Sequence, residues 1–323
     1  MSGMSLPTIT DALLACRLLA AELTPTPLRS YPLLDRATGA TVLVKHENVQ
    51  PTGAFKVRGG LNLLAGMTPD ERRRGVLGYS TGNHAQSLAY AAARFGSPCT
   101  IVMPEHPNPA KAAAVRALGA ELIEYGAAFD QARAYAGKLA VERGARLVSA
   151  ADEPALVAGV ATAYLEIFER EPELDAVVVP VGGGSGAAAA CLAAAAVAPG
   201  CRVIAVQSAA APAAHDSWRA GRLLERPNET VVEGLATGSG FELTQRLLRA
   251  HLADFLLVED EAIREAQWVA LRDAHTLVEG AGAAALAAVL THASSFASQR
   301  VAIVFTGANA SVTELRATVR DMS

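Results

Sequence analysis

The segment Asp175-Ala-Val-Val-Val-Pro-Val181 runs directly into Gly182-Gly-Gly-Ser-Gly186 and then into an alanine-rich stretch. A continuous apolar run of this length is typical of a strand that is buried on both faces, as in a parallel sheet. The alanines that follow favour a helix. A strand, a glycine loop and a helix N-terminus together form an anion cradle, because backbone N–H groups and the helix dipole converge there. The segment therefore predicts an α/β fold with a phosphate site at residues 182–186.

Seven further short runs resemble this strand and alternate with longer helical patterns, which predicts mainly parallel sheets with helices on both faces. The predicted strands are Thr41–Val44, Val76–Tyr79, Thr100–Met103, Glu121–Glu124, Ala176–Val181, Arg202–Val206, Asp254–Val258 and Val301–Phe305. Eight strands are more than one small sheet needs, so we expect two sheets with a cleft between them. We predict a large domain from residues 1–73 and 152–323 and a small domain from residues 74–151.

Helix starts are marked by polar residues and prolines at three places. Thr10-Asp11 predicts the N-cap of a helix that ends at about Leu23. Asn108-Pro109 predicts a second helix start, and Asp152-Glu153-Pro154 predicts a third, since proline and acidic residues suit a helix N-terminus. These helices fit the alternating pattern of the α/β fold.

Composition narrows the class of protein. The chain has 323 residues with 28 Lys+Arg against 32 Asp+Glu, a net charge of −4, and its length suggests about two domains. Nothing concentrates positive charge, which argues against a nucleic-acid partner. The most apolar run, Ala187–Val197, is about eleven residues long, whereas a membrane span needs about 18 or more. The first basic residue is Arg17, unlike a secretory leader. We expect a cytoplasmic protein that does not enter membranes.

Lysine chemistry has few possible locations, because only four of the 28 basic residues are lysines: Lys45, Lys56, Lys111 and Lys138. Arginine does not act as an amine nucleophile. Lys56 follows a Pro/Gly turn in Gln50-Pro-Thr-Gly-Ala-Phe-Lys-Val-Arg-Gly59, beside Phe55 and at a predicted helix start. Burial and a helix N-terminus both lower the pKa of an amine and leave a nucleophile that can form a Schiff base. The other three lysines fit ordinary surface positions.

Two other glycine turns follow predicted strands. Tyr79-Ser-Thr-Gly-Asn-His-Ala-Gln86 offers hydroxyls, an amide and free backbone N–H groups, which suit a substrate carboxylate. An ordinary capping loop is the alternative interpretation, with His84 as a buried, hydrogen-bonded histidine. Ile303-Val-Phe-Thr-Gly-Ala-Asn309 delivers the hydroxyl of Thr306 into a turn, where it can hydrogen-bond a heterocyclic nitrogen.

The glycine loop also satisfies the dinucleotide pattern G-x-G-x-x-A through Gly182, Gly184 and Ala187. That pattern requires an acid about 20 residues further on, where this chain has Gln207-Ser208. The missing acid weakens the hypothesis of a nicotinamide oxidoreductase, and the missing Walker lysine excludes a P-loop. A non-catalytic binding protein on the same fold stays open.

These four segments, in this order, resemble the fold-type II pyridoxal-phosphate enzymes, and specifically the group of threonine/serine ammonia-lyases (dehydratases) and serine racemase. The likeness extends from Thr24 to Asn309. It implies the fold of the tryptophan synthase β subunit, with two three-layer α/β/α domains and the cofactor in the cleft between them. It also implies that pyridoxal 5'-phosphate is carried on Lys56.

The resemblance assigns roles to the remaining segments. The residues that it implies for the substrate carboxylate are Ser80, Thr81, Gly82, Asn83 and His84, and Asn83 is also expected to contact the ring oxygen of the cofactor. The residues that it implies for the phosphate are Gly182, Gly183, Gly184, Ser185 and Gly186. Thr306 is expected to face the pyridine nitrogen. Phe55, Gly234 and Glu279 are expected to contact cofactor or substrate.

Three departures from the family pattern refine the expected activity. Ala54 replaces the usual serine before Phe-Lys. Thr81 replaces the second proton-transfer serine of the racemases, which favours a lyase over a racemase. Gln207 and the apolar residues after it replace the carboxylates of the racemase metal site, so we predict no metal. We expect a homodimeric ammonia-lyase that acts on a 3-hydroxy amino acid such as L-threonine or L-serine. The alternatives are a dehydratase for hydroxyaspartate or phenylserine, and serine racemase.

Overall fold

Two β-sheets organise the structure, a computed structural model that describes residues 5–127 and 129–320. The first four residues, which the leader argument includes, lie outside the described residues. The larger sheet has six strands in the order β1-β2-β10-β7-β8-β9, and the smaller has four in the order β5-β4-β3-β6. The strands are β1 Leu28–Ser30, β2 Thr41–Lys45, β3 Val76–Gly78, β4 Cys99–Met103, β5 Glu121–Glu124, β6 Arg146–Val148, β7 Ala176–Pro180, β8 Arg202–Ser208, β9 Asp254–Val258 and β10 Arg300–Val304.

Helices connect these strands and cover both faces of the sheets, as the alternating pattern predicts. The helices are α1 Ile9–Leu19, α2 Pro32–Thr38, α3 Lys56–Gly66, α4 Pro69–Arg74, α5 Asn83–Arg94, α6 Pro109–Ala117, α7 Phe129–Arg143, α8 Pro154–Arg170, α9 Ser185–Val197, α10 Ala213–Ala220, α11 Glu242–His251, α12 Asp260–Asp273, α13 Gly280–Thr291, α14 Ala293–Phe296 and α15 Val312–Arg320. Glu47–Val49 and Glu233–Leu235 form single 3-10 turns. No helix of the described segments is both long and apolar enough to cross a bilayer.

Most strand pairs are parallel, and the antiparallel pair is β1 with β2. Every residue of β7 is buried, which explains its continuous apolar sequence. β10, from the end of the chain, inserts between β7 and β2, so the N-terminal segment belongs to the same sheet as the C-terminal half. The smaller sheet is built from residues 76–148.

The predicted bounds of the first helix are wrong, and two short strands were missed. The first helix is capped by Thr8, whose side chain accepts from the backbone N–H of Asp11, and it ends at Leu19, four residues before the predicted end. Thr8 forms a capping box with Asp11, a stronger start signal than Thr10 offers. β1 and β6 were not predicted, because each has three residues and depends on pairing with β2 or β3 rather than on its own sequence.

The prediction that Lys45 and Lys111 are ordinary surface lysines is also wrong. Lys45 is 1 % exposed and pairs with Glu166, a residue of α8 that is distant in sequence. The side chain of Lys111 is 13 % exposed and pairs with Glu233. Lys138 is exposed, as expected. Tertiary contacts thus place two of the four lysines in partly or fully buried ion pairs.

Candidate active site

The predicted site residues lie where strands end and helices begin. β7 leads into the glycine loop and α9, β3 leads through residues 79–82 into α5, and β10 delivers Thr306. Open parallel sheets bind ligands at the carboxyl ends of their strands, because loops and helix N-termini meet there. α3 begins at Lys56, so the lysine lies at a helix N-terminus as the sequence predicts.

Lys56 lies between the glycine loop and an aromatic ring. Its Nζ donates to Ser185 Oγ at 2.7 Å and to the backbone oxygen of Ala150 at 3.3 Å. The same nitrogen lies 5.1 Å from the centroid of the Phe55 ring. Burial lowers the pKa of Lys56 to about 8, and no carboxylate of the described residues offsets that shift. A larger share of this amine is therefore neutral at physiological pH than for an ordinary lysine.

The glycine loop is shaped by close backbone approach. A Cβ on Gly182 would lie 2.3 Å from the backbone oxygen of Gly234, and Gly184 has a φ of 91°. Both positions therefore require glycine. Thr244 Oγ1 donates to the oxygen of Gly183 at 2.9 Å, and Thr237 Oγ1 donates to the oxygen of Gly182 at 3.3 Å. These bonds fix the loop carbonyls, while the first N–H groups of α9 have no partner within the helix.

Thr306 is joined to the turn that carries the lysine. The backbone N–H of Phe55 donates to the oxygen of Thr306 at 2.9 Å. Ala54 and Gly307 form an isolated antiparallel bridge beside it. Thr306 is 5 % exposed. The end of β10 and the start of α3 are therefore held together, and Thr306 lies beside the turn that carries Lys56.

Asn83 and Glu279 meet across the cleft. Asn83 Nδ2 donates to Glu279 Oε1 at 2.5 Å, and Asn309 Nδ2 donates to Asn83 Oδ1 at 2.8 Å. A Cβ on Gly307 would lie 2.1 Å from Glu279 Oε1, so this carboxylate packs against the turn after β10. Burial, reinforced by the charge of Glu314, raises the pKa of Glu279 to about 7.

The rest of the predicted carboxylate loop lies at the N-terminus of α5. Ser80, Thr81 and Gly82 are partly buried, and the N–H of Gly82 donates to Ser80 Oγ at 3.2 Å. His84 is buried, with Nε2 3.4 Å from the oxygen of Val148. Burial and the nearby charge of Lys56 lower the pKa of His84 to about 3, so the imidazole is neutral. The structure thus places His84 near Lys56 as a buried side chain that contacts a backbone oxygen.

Sequence reasoning missed four contributors to this site. They are Ala150, Thr237, Thr244 and Asn309, which bond Lys56, the glycine loop and Asn83. Asn309 stands three residues after Thr306 in a segment already marked by its glycine turn, so it had a local signal. The two threonines and Ala150 had none, because each reaches the site only through the fold.

The residues fit a phosphorylated pyridine aldehyde. An amine with a lowered pKa is the partner that an aldehyde needs, and Lys56 supplies it. The hydroxyl of Ser185, which accepts from this amine, belongs to the glycine loop at 182–186. A Cβ on Gly182 would clash with the neighbouring backbone, so the loop keeps its shape only with glycine there, and it leads directly into α9. Such a helix start binds phosphate. Pyridoxal 5'-phosphate carries both groups.

Comparisons with known proteins agree with this fit. Residues 19–307 match the family described as "Pyridoxal-phosphate dependent enzyme". L-threonine ammonia-lyase of Thermotoga maritima is 37 % identical over 306 residues, which cover 94 % of this chain and 76 % of that protein. Beta-hydroxyaspartate dehydratase of Paracoccus denitrificans is 33 % identical over 313 residues, 97 % of this chain and 99 % of that protein.

A solved structure shows that the fold is shared as well. Maize serine racemase superposes with a TM-score of 0.92 at 28 % identity, covering 98 % of both chains. The expected fold-type II α/β architecture is confirmed by this likeness, and the expected cofactor class is confirmed by the family. The hypothesis of a nicotinamide oxidoreductase is not supported. The chain therefore belongs to the pyridoxal-phosphate-dependent enzymes.

Proposed function

We propose that the chain is an ammonia-lyase (dehydratase) that converts a 3-hydroxy amino acid, such as L-threonine or L-serine, into a 2-oxo acid and ammonia by β-elimination. The observation that carries the proposal is the amine of Lys56, whose pKa is lowered to about 8 and which lies between Phe55 and Ser185. The similarity to L-threonine ammonia-lyase supports the reaction type.

Each segment of the cleft has a role in this reaction. Lys56 would carry the cofactor, and its amine would act as the base that takes the α-proton of the substrate. The backbone and hydroxyl groups of residues 80–84 hold the substrate carboxylate. Residues 182–186 would hold the phosphate, Phe55 and Gly234 would contact the cofactor or substrate, and Thr306 would offer a neutral hydroxyl to the pyridine nitrogen. The cofactor supplies the electron sink that makes loss of the α-proton and the β-hydroxyl feasible.

The experiment combines an assay with mapping of the lysine. Purified protein incubated with L-threonine or L-serine is expected to release 2-oxo acid and ammonia. Borohydride treatment is expected to fix the cofactor on one peptide, the one that contains Lys56. Lys56→Ala should abolish both results, whereas Lys138→Ala, an exposed lysine, should leave both intact. A colourless protein with no adduct, or D-serine accumulating without oxo acid, would overturn the proposal.

A second substrate class is favoured by one comparison. Beta-hydroxyaspartate dehydratase of Paracoccus denitrificans matches this chain over nearly the whole length of both proteins. L-threo-3-hydroxyaspartate and phenylserine therefore belong in the same assay. The preferred substrate is the one with the highest kcat/KM for oxo-acid release.

We also propose that the enzyme is a homodimer in the cytoplasm, with the domain division at residues 73/74 and 151/152. The family resemblance supports the dimer, and the net charge of −4 and the spread of charge along the chain fit a protein with no nucleic-acid partner. Sedimentation equilibrium at micromolar concentration measures the mass directly. A particle of the mass of one chain at all concentrations would contradict the dimer.

A further inference from the structure

We propose that Ser185 positions the free amine of Lys56 during turnover, in addition to its expected contact with the phosphate. The inference rests on the proposed function, because only a lysine that leaves the cofactor and returns to it needs a defined resting place. The contact that carries the inference is the hydrogen bond of 2.7 Å from Lys56 Nζ to Ser185 Oγ.

The geometry orients the amine as well as holding it. Lys56 Nζ donates to two acceptors, Ser185 Oγ and the backbone oxygen of Ala150. A neutral amine has two N–H bonds, so both are used and the lone pair takes the remaining tetrahedral direction. A base with a fixed lone pair loses less entropy in reaching the α-proton than a freely rotating amine does.

Ser185 is itself closely packed. It is 2 % exposed and is the first residue of α9, directly after the left-handed Gly184. Packing therefore confines its hydroxyl. The side chain loses its rotamer entropy when the protein folds, and so does not lose it again in each catalytic cycle. A hydroxyl on a loose surface loop would not hold the amine in this way.

The choice of a hydroxyl, and not a carboxylate, matters for the protonation state. Lys45 of the same chain pairs with Glu166, whose charge raises the pKa of Lys45 and so opposes the effect of burial. Lys56 has no such charge beside it, and its pKa is lowered to about 8. Ser185 accepts a hydrogen bond without adding a negative charge, so it holds the amine and still leaves it free to act as a base.

Pyridoxal, which lacks the phosphate, separates the two possible roles of Ser185. If Ser185 only binds phosphate, its substitution should not affect the reaction of Lys56 with pyridoxal. If Ser185 positions the amine, that reaction should change. The full-length protein, stripped of cofactor, is mixed with pyridoxal between pH 6 and pH 9. The rate of adduct formation at Lys56 is followed by absorbance and checked by borohydride mapping. The variants are Ser185→Ala, Ser185→Thr, which keeps the hydroxyl, and Ser217→Ala, another buried serine outside the site.

We expect Ser185→Ala to capture pyridoxal about tenfold more slowly, with the pH dependence displaced to lower pH, because the cation loses an acceptor. Ser185→Thr should restore most of the rate, and Ser217→Ala should equal the wild type. If Ser185→Ala captures pyridoxal at the wild-type rate and pH dependence and loses only retention of pyridoxal phosphate, Ser185 is a phosphate ligand and the inference is wrong. Ser185→Gly replaces the alanine variant if that variant does not fold.

A second measurement uses the holoenzyme at saturating cofactor. L-alanine has no leaving group, so exchange of its α-hydrogen in D2O reports the base step without elimination. We expect slower exchange for Ser185→Ala and near wild-type exchange for Ser185→Thr, and equal exchange in all variants would contradict the inference. Neither readout requires oxo-acid release, so a chain that fails on threonine and serine refutes the proposed function and leaves this test valid.

Discussion

Asn83 and Glu279 come from opposite sides of the cleft and are joined by a hydrogen bond of 2.5 Å between Nδ2 and Oε1. Asn83 begins α5 beside the smaller sheet, and Glu279 precedes α13 beside the larger one. The bond therefore connects the two halves of the structure at the expected cofactor ring. Because the pKa of Glu279 is raised to about 7, the carboxyl group in this hydrogen bond gains or loses its proton near neutral pH.

Glu279→Gln tests that raised pKa. The folded protein keeps the carboxyl proton between about pH 4.5 and pH 7, where the unfolded chain releases it, so this group lowers the free energy of unfolding as pH rises through that window. Gln accepts the same hydrogen bond and does not titrate. Relative to the wild type, Glu279→Gln should gain stability from pH 5 to pH 8, by at most about 3 kcal/mol. Urea unfolding of the cofactor-stripped proteins measures the difference, and the exposed Glu265→Gln serves as control.

Gly182→Ala tests the shape of the phosphate loop. The added Cβ would lie 2.3 Å from the backbone oxygen of Gly234, so the loop or the neighbouring turn must move. We expect loss of cofactor retention, measured by absorbance after gel filtration, and at least a tenfold weaker Kd. Gly200→Ala is the control, because its Cβ meets nothing within 4 Å. Wild-type retention by Gly182→Ala would show that this loop does not hold the phosphate.

Arg58→Met tests the buried ion pairs behind the lysine helix. Arg58 lies two residues after Lys56, is 1 % exposed, and bonds both Glu47 and Glu166. Removing the guanidinium leaves Glu47 buried without its main partner, which should cost about 3 kcal/mol or more in the free energy of unfolding. Arg73→Met, whose ion pair with Asp70 is exposed, should cost less than about 1 kcal/mol.

Urea midpoints with unchanged m values provide the comparison for the arginine variants. Equal losses for Arg58→Met and Arg73→Met would contradict a structural role for the buried pairs. Loss of the Arg58 ion pairs should also affect Lys56, since both residues lie in the first turn of α3. Cofactor capture should therefore slow in Arg58→Met as the helix loosens.

Glu233→Gln tests an ion pair that joins the two halves of the structure. Lys111 of α6 bonds Glu233 in the 3-10 turn that also contains Gly234. Since the carboxylate is half exposed, we expect a loss of less than about 1 kcal/mol in stability. The turn that packs behind Gly182 should loosen, so KM for the amino acid should rise severalfold while kcat changes little.

Salt provides an independent check of the Lys111–Glu233 pair. High ionic strength screens a half-exposed pair, so the wild-type KM should rise with salt and the Glu233→Gln KM should not. Arg116→Gln, which breaks the exposed pair with Glu124, is the matched control and should leave KM unchanged. A salt-independent wild-type KM would argue against the pair's role in the cleft.

The central strands could be predicted from the sequence to within one or two residues. β7 and β10 are buried along most of their length, so each needs a continuous apolar run that is visible without any knowledge of the fold. β1 and β6 could not be found in this way. Each has three residues and exists because β2 or β3 supplies its hydrogen bonds.

In the candidate site, too, some features were visible from the local sequence and others depend on distant contacts. Lys56 stood out because a lysine at a Pro/Gly turn, beside Phe55 and at a helix start, is a local chemical pattern. The glycine loop at 182–186 stood out because five small residues after a buried strand indicate an anion. Nothing in the segment around Lys45 indicates its burial, because its partner Glu166 lies 121 positions away.

By itself, then, the sequence indicated the longer buried strands, the glycine loop at 182–186 and the lysine at a helix start beside Phe55, since these depend on neighbours along the chain. Only the tertiary structure decided that Ser185 meets Lys56 across 129 positions and that Asn83 meets Glu279 across 196. These contacts follow from the order of strands in two sheets and from the insertion of β10 between β2 and β7. Burial then shifts the pKa values of Lys56 and Glu279, and burial is a property of the packed fold rather than of any segment.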